Sequence, residues 1–252
     1  CEARVWSFFR TFDKSMDKYK KHIMGDASEE PMPLYIIPDR KVSLADVREG
    51  MRNHYEGTEL SMTNDPGAGV YKVPYRWRPM TFKSEGREYF NERAIATQQT
   101  GFVLIAQMRS WLPDAVGGIL WFGVDDANTA VLTPMYTSIT EIPECYRRGN
   151  GSMTEFSWTS AFWIHNWVAN MAYNRYEPMI RDIRPVQKEL EDSYVDLVKN
   201  TDAKALELLK SSPTQATAYL TEVCGKVANE ATARWKKLGE YLLVKYMDGN
   251  VK

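Results

Sequence analysis

The sequence predicts an α+β protein in which an antiparallel sheet is followed by a long helical C-terminal region. Three observations predict it. Residues 93–109, 116–125 and 128–136 (RAIATQQTGFVLIAQMR, VGGILWFGVD and NTAVLTPMY) are rich in β-branched and aromatic side chains, and turn chemistry in WLPDA and DDAN separates them. From about Ser157 onward the apolar spacing changes to three and four residues, the period of a helix. A content of 44% hydrophobic and 12% aromatic residues in 252 is enough for a packed core. Texture divides one domain into a loop-rich zone with short helices (1–89), a strand meander (90–140) and a helical zone (155–248).

Taken in order, Arg4, Val5, Trp6, Phe8, Phe9 and Phe12 form an amphipathic segment, and Lys14, Lys18, Lys20 and Lys21, broken by Asp13 and Asp17, read as a solvated helix face. In VSLADVREGMRNHYEG, Ser43 offers an N-cap, Asp46 completes a capping-box-like S-x-x-D, and Gly57 follows the end. The Gly- and Pro-rich MTNDPGAGVYKVPYRWRP reads as a long ordered loop, and loops of that length are often functional. The near-continuous apolar runs of the three strands predict a sheet covered on both faces. In the next helical stretch Phe162, Ala169, Tyr173, Tyr176 and Ile180 make a core-facing stripe, and Pro178 and Pro185 are placed to kink or divide it. Ser212, Pro213 and Gln215 mark the start of a long helix carrying Ala216, Leu220, Val223, Val227, Ala231, Trp235, Leu238 and Leu242 on one stripe, with Cys224 in the core.

Composition excludes several function classes. Lys plus Arg (32) balances Asp plus Glu (33), so no field gathers nucleic acid or anionic lipid. No apolar run approaches the roughly 20 residues that span a bilayer, and the compartment, cytoplasmic or exported, stays open. Cys1, Cys145 and Cys224 form no CxxC pair, and His22, His54 and His165 share no ligand spacing, so neither a disulfide framework nor a metal site is expected. There is no GxSxG, P-loop or dinucleotide fingerprint. Asp125 and Asp126 are adjacent at a strand end, point to opposite faces, and are read as turn residues. Cys1 has one argument for a nucleophile, because a free α-amino group, with a reference pKa near 7.7–8.0, can serve as its base. The amphipathic segment behind it lacks the small residues and turn that such a nucleophile needs.

From NHYEGTELSMTND through VPYRW to SWLPDAVGGILWFGVDDANTAVLTPMYTSITEIPECY, the sequence resembles the dipeptidase-D-like family of N-terminal-nucleophile (Ntn) cysteine hydrolases. The motifs fall in order at 54–58, 74–76, 108–113, 117–123 and 134–136, and SAFWIHNWVANMAYNRY is similar to the family's helix after the sheet. The resemblance implies that the chain corresponds to the C-terminal half of a longer protein. Its N-terminal half would bring the nucleophile, and CEARVW, unlike the family's Cys-Thr context, would mark a cut point. It implies part of a four-layer αββα sandwich, with an open sheet edge and an apolar patch unless the other half or another copy of the chain covers them. It implies hydrolysis of a dipeptide through a thioester, with no metal or organic cofactor.

Within this chain the resemblance points to Arg76, whose planar donors suit an oxyanion or a substrate carboxylate, although a structural pairing in an ordered loop explains it equally. Gln98, Gln99 and Thr100 interrupt an apolar strand and are candidates to line the substrate pocket, with Gln99 standing where relatives carry arginine. Arg109 reads as a structural ion pair. Two other readings stay open: a non-catalytic peptide- or saccharide-binding or assembly module, and a short Ntn hydrolase that uses Cys1.

Overall fold

The computed structural model describes residues 2–26, 30–75, 81–90 (without the side chain of Phe90) and 93–246. The chain divides into two compact units, Cys1–Thr97 and Gln98–Lys252.

The first unit is built from short elements. Helix α1 (Glu2–Phe12) buries Trp6 against Met16 and Tyr19, and Trp6 Nε1 donates to the Met16 carbonyl at 2.8 Å. A 3₁₀ turn (Lys14–Tyr19) runs into the single-turn α2 (Lys20–Ile23). Helix α3 (Leu44–Met51) carries the expected capping box: the Asp46 N–H donates to Ser43 Oγ at 3.2 Å, and the Ser43 N–H donates back to Asp46 Oδ2 at 2.7 Å. It ends at Met51, before Gly57, because 52–57 folds into turns. A hairpin, β1 (Thr81–Ser84) and β2 (Arg87–Phe90), was not anticipated in the loop-rich zone. Its signal was present. Glu85 and Gly86 between two short tetrads that carry Phe82, Tyr89 and Phe90 both take positive φ (49° and 77°), the geometry of a two-residue type I′ turn.

The second unit is a three-stranded antiparallel meander, β3 (Phe102–Met108), β4 (Gly118–Val124) and β5 (Thr133–Tyr136), with the single turn α4 (Asp114–Gly117) leading into β4. The order agrees with the sequence reading, but the strands are shorter. Residues 93–101 are irregular, so Gln98 and Gln99 form a turn ahead of β3 and do not interrupt it. Residues 126–132 fold back over β4, where a Cβ on Gly123 would lie 2.7 Å from Leu132 Cδ2.

Helices α5 (Ala161–Asn174), α6 (Tyr176–Leu209) and α7 (Pro213–Tyr246) follow. The break between α5 and α6 falls at Arg175 (φ −142°, ψ 59°), ahead of both prolines. Pro178 sits in the first turn of α6, where its missing N–H would have no partner anyway, and Pro185 lies inside a continuous helix. The core stripe of α5 consists of Ile164, His165, Val168, Ala169, Ala172 and Tyr173, while Phe162, Tyr176 and Ile180 are only half-buried. Ser212 Oγ accepts from the Gln215 N–H at 3.3 Å, and the α7 stripe, Cys224 included, is buried, apart from half-exposed Val223. Gly239 lets α5 approach α7, since a Cβ there would meet the Trp167 ring at 2.5 Å.

One face of the sheet, carrying Val103, Trp121, Ile119 and Tyr136, is buried beneath these helices: the Tyr136 N–H donates to Cys224 Sγ at 3.3 Å and the Leu132 N–H to Glu191 Oε1 at 2.9 Å. Within the second unit by itself, the expectation of two covered faces is met on one side only. On the other side Phe102, Leu104 and Met108 are 63%, 43% and 60% exposed, because nothing else in the described part of the second unit lies over β3. Arg109 is the structural residue anticipated for it: it pairs with Asp202 on α6 and donates to the Val116 and Gly117 carbonyls, while the Tyr136 hydroxyl donates to Asp202 at 2.6 Å.

Candidate active site

Of the residues singled out for chemistry, Arg76 and Cys1 lie outside the described residues. Gln99 is exposed and Thr100 half-buried. Gln98 is tied into a polar network, its Nε2 donating to Asn170 Oδ1 at 2.7 Å.

That network is written by helical spacing. Asn166, Asn170 and Asn174 fall four apart on α5 and so share a face. Asn170 Nδ2 donates to the Asn166 carbonyl at 2.8 Å and to Asn166 Oδ1 at 3.0 Å, and Asn166 Nδ2 donates to Asp125 Oδ1 at 2.9 Å. Asp125 ends β4 in a left-handed conformation (φ 67°), an arrangement that costs energy in a non-glycine residue, and its N–H donates to the Gly101 carbonyl at 2.9 Å. The chain from Gln98 to Asp125 therefore joins the entry to β3 with the exit from β4. Asp125 is 2% exposed, and its Oδ2 has no partner among the described residues. Burial pushes its carboxyl up to about 6, with the Asn166 hydrogen bond working against the shift. A carboxyl poised near neutrality with a free acceptor is suited to holding or passing a proton.

Its neighbour is settled differently. Asp126 Oδ2 accepts from the Thr129 N–H (3.0 Å) and hydroxyl (2.9 Å), and Oδ1 accepts from Tyr173 at 3.0 Å. The turn role read from the sequence suits Asp126, whereas Asp125 adds a buried, half-satisfied carboxyl that adjacency on a strand could not reveal. His165 stacks on Trp235 at 5.3 Å, and its Nδ1 donates to the Ala161 carbonyl at 2.9 Å. Burial lowers its pKa to about 4, so it stays neutral. Among the described residues Cys145 and Cys224 are buried and burial raises both thiols, Cys224 to about 11, which removes them as thiolate nucleophiles.

In the first unit, the HYEGT stretch forms a strained turn of its own. Tyr55 is fully buried at φ 64°. It is held by Asn53 Oδ1, which accepts its N–H at 2.8 Å, by the Thr58 hydroxyl on its carbonyl (2.8 Å) and by its own hydroxyl on the Arg93 carbonyl (2.5 Å). The Glu56 carboxyl accepts from the His54 N–H at 2.7 Å; desolvation opposes its ionisation, but His54 holds its pKa below the ordinary value.

These features meet a consistent set of relatives. A probable dipeptidase B of Lactococcus lactis subsp. lactis (strain IL1403) is 26% identical over 230 residues, 88% of this chain and 44% of that protein. A probable dipeptidase of Latilactobacillus sakei is 26% identical over 245 residues, 90% of this chain and 46% of that protein. Dipeptidase A of Lactobacillus helveticus is 22% identical over 193 residues, 76% of this chain and 33% of that protein. The chain spans less than half the length of these curated relatives. The model of peptidase family C69 covers residues 1–189, taking in the HYEGT turn, the meander and the asparagine face of α5, and by that match the chain belongs to peptidase family C69.

Proposed function

We propose that the chain is the C-terminal part of a cysteine dipeptidase of the Ntn class that cleaves dipeptides through a thioester. The observation that carries this reading is the family match over residues 1–189, with relatives named as dipeptidases. A thiolate attacks the scissile carbonyl carbon, fixed donors hold the tetrahedral oxyanion, the amine leaves, and water cleaves the thioester. The nucleophile is a cysteine outside these 252 residues. Two facts support this: the relatives are more than twice as long, and Cys145 and Cys224 are buried thiols with raised pKa values. Arg76 is the proposed oxyanion partner, and Gln98, Gln99 and Thr100 are proposed to line the substrate pocket, with Gln98 oriented by its hydrogen bond to Asn170.

The test is dipeptide hydrolysis by the 252-residue chain, alone and mixed with the upstream half of the protein, each with Cys1 intact and with Cys1→Ala. Activity that needs the upstream half and survives Cys1→Ala supports the proposal. Activity of the isolated chain that Cys1→Ala abolishes overturns it in favour of a short hydrolase using Cys1. Absence of turnover in every combination, with the mixture folded, leaves a binding module instead. In the active mixture, Arg76→Ala is expected to lower kcat by about 100-fold, the usual cost of one oxyanion donor.

A further inference from the structure

Beneath the start of α5 lies an open cavity of about 400 Å³, walled by Phe122, Tyr146, Phe162 and Trp163 and rimmed by Arg147 and Arg148. The helix enters it in an unusual state. Ser160 is the N-cap residue, yet its side chain makes no capping bond, so the first-turn N–H groups receive no side-chain acceptor. Ser160 is only 5% exposed and lines the cavity, and its hydroxyl has no partner among the described residues. A buried serine that could cap its helix and does not is an open donor and acceptor facing a concave surface.

The loop above it is built, not loose. Gly149 and Gly151 take positive φ (89° and 85°), and a Cβ on Gly151 would meet Trp163 Cδ1 at 2.8 Å, so the loop is seated on the indole. Asn150 donates to the Glu144 carbonyl at 3.2 Å and accepts from the Ser157 and Thr159 hydroxyls at 2.6 and 3.0 Å, while Trp163 Nε1 donates to the Ser152 carbonyl at 3.1 Å. These bonds hold the loop without using either arginine. Glu141, Glu144 and Glu155 are the nearby acids in sequence, and none of them pairs with Arg147 or Arg148, whose guanidinia have no partner among the described residues.

We propose that this cavity binds the free α-carboxylate of a short peptide together with the apolar side chain of the residue that bears it. The two guanidinia, the uncapped helix terminus and the Ser160 hydroxyl all favour an anion, and guanidinium matches a carboxylate in shape. The aromatic walls add what an inorganic anion would leave unused, a surface for an apolar side chain. The inference deepens the dipeptidase reading by assigning the C-terminal end of its substrate, and it is tested separately from turnover.

The experiment titrates the 252-residue chain with N-acetylphenylalanine and with N-acetylphenylalaninamide, following tryptophan fluorescence and calorimetry. The acid is expected to bind at least about tenfold more tightly than the amide, the worth of a charge-assisted pair. In an Arg147→Ala/Arg148→Ala variant, whose changes are on exposed side chains and whose thermal midpoint reports folding, the preference disappears; in Ser160→Ala it shrinks. Equal binding of acid and amide, or a preference that survives the double arginine change, overturns the proposal. Inorganic phosphate competing as well as the acid overturns it too, since the aromatic walls would then play no part. If the acid is preferred but no mixture hydrolyses dipeptides, the subsite stands and the peptidase reading falls; if dipeptides are hydrolysed and acid and amide bind alike, only this inference falls.

Discussion

The two units hold strained, buried residues by opposite means. In the first, Tyr55 is fixed mainly by its own neighbourhood, Asn53 and Thr58 within three residues of it, with Arg93 the distant exception. In the second, Asp125 is fixed by Gly101 and Asn166, 24 residues before it in one case and 41 after in the other. Individual ion pairs show the same two means, although both units mix them: Lys20–Glu59 spans 39 residues in the first unit, and Arg181–Glu177 is a local pair in the second. Arg10–Asp17 and Arg40–Asp46 in the first unit are local and partly exposed, whereas Arg109–Asp202 ties β3 to α6 across 93 residues and is nearly buried. Local fixing makes a unit that tolerates damage piecemeal; long-range fixing makes one that fails as a whole.

The largest effect that could break this contrast comes from the cores. Trp235 is fully buried against His165, and Trp235→Ala should cost about 3–5 kcal/mol by the usual range for a truncated core tryptophan. Hydrogen exchange should then rise throughout the meander, α5, α6 and α7 together. Trp6 is as deeply buried, yet exchange in Trp6→Ala should rise across 2–75 and leave β3–β5 protected. Exchange that spreads over both units in either variant would show one cooperative block.

Next comes the buried pair. Asp202→Ala leaves Arg109 charged, unpaired and 8% exposed, a change expected to cost roughly 3–5 kcal/mol, while removal of one member of the exposed Arg40–Asp46 pair as Arg40→Ala should cost under about 1 kcal/mol. Urea midpoints of the two variants measure the difference, and similar losses would erase it.

A third contrast lies within the second unit, between two buried groups on or beside α5. Asp125 holds its proton up to about 6 when folded and releases it near 3.8 when unfolded, so rising pH between those values removes stability. His165 stays neutral down to about 4 when folded but takes a proton near 6.5 when unfolded, so falling pH over nearly the same window removes stability. The two slopes oppose each other, and the native chain should show little change from pH 4 to 6.5. Asp125→Asn should expose the histidine's slope, losing on the order of 2–3 kcal/mol as pH falls through the window; His165→Gln should expose the aspartate's, with a loss of similar size as pH rises. Thermal midpoints against pH decide it, and parallel slopes in the two variants would refute the assignment.

The same division explains what could be read in the sequence. The capping box at Ser43, the start of α7 at Ser212 and the meander order were legible because caps, periodicity and turn residues act over a few positions. The hairpin at 81–90 had a local signal too, in the turn residues Glu85–Gly86. What stayed hidden was long-range. The bare face of β3 follows from what does or does not pack on it, not from its own apolar run. Asp125 became a buried, half-satisfied carboxyl only when Asn166 arrived from α5, and Gln98 gained its orientation from Asn170, 72 residues away. The break at Arg175 overrode two prolines because the first turn of a helix accepts what its interior does not.

The smallest effect is also the sharpest test of locality. Helix α3 has eight residues, too few to be stable alone, so it depends on its cap and on the packing of its buried face. Ser43→Ala removes an acceptor from the Asp46 N–H and frees the Asp46 carboxyl from the serine hydroxyl, and should cost about 1 kcal/mol. Ser212→Ala removes the matching acceptor from α7, but that helix runs 34 residues and is anchored along its length by buried side chains. The same chemical change should therefore raise exchange across the whole of 44–51 in the first case and only in the opening turn of α7 in the second. If Ser212→Ala instead loosens α7 along its length, the cap and not the packing sets that helix, and the contrast between locally and globally held units loses its basis.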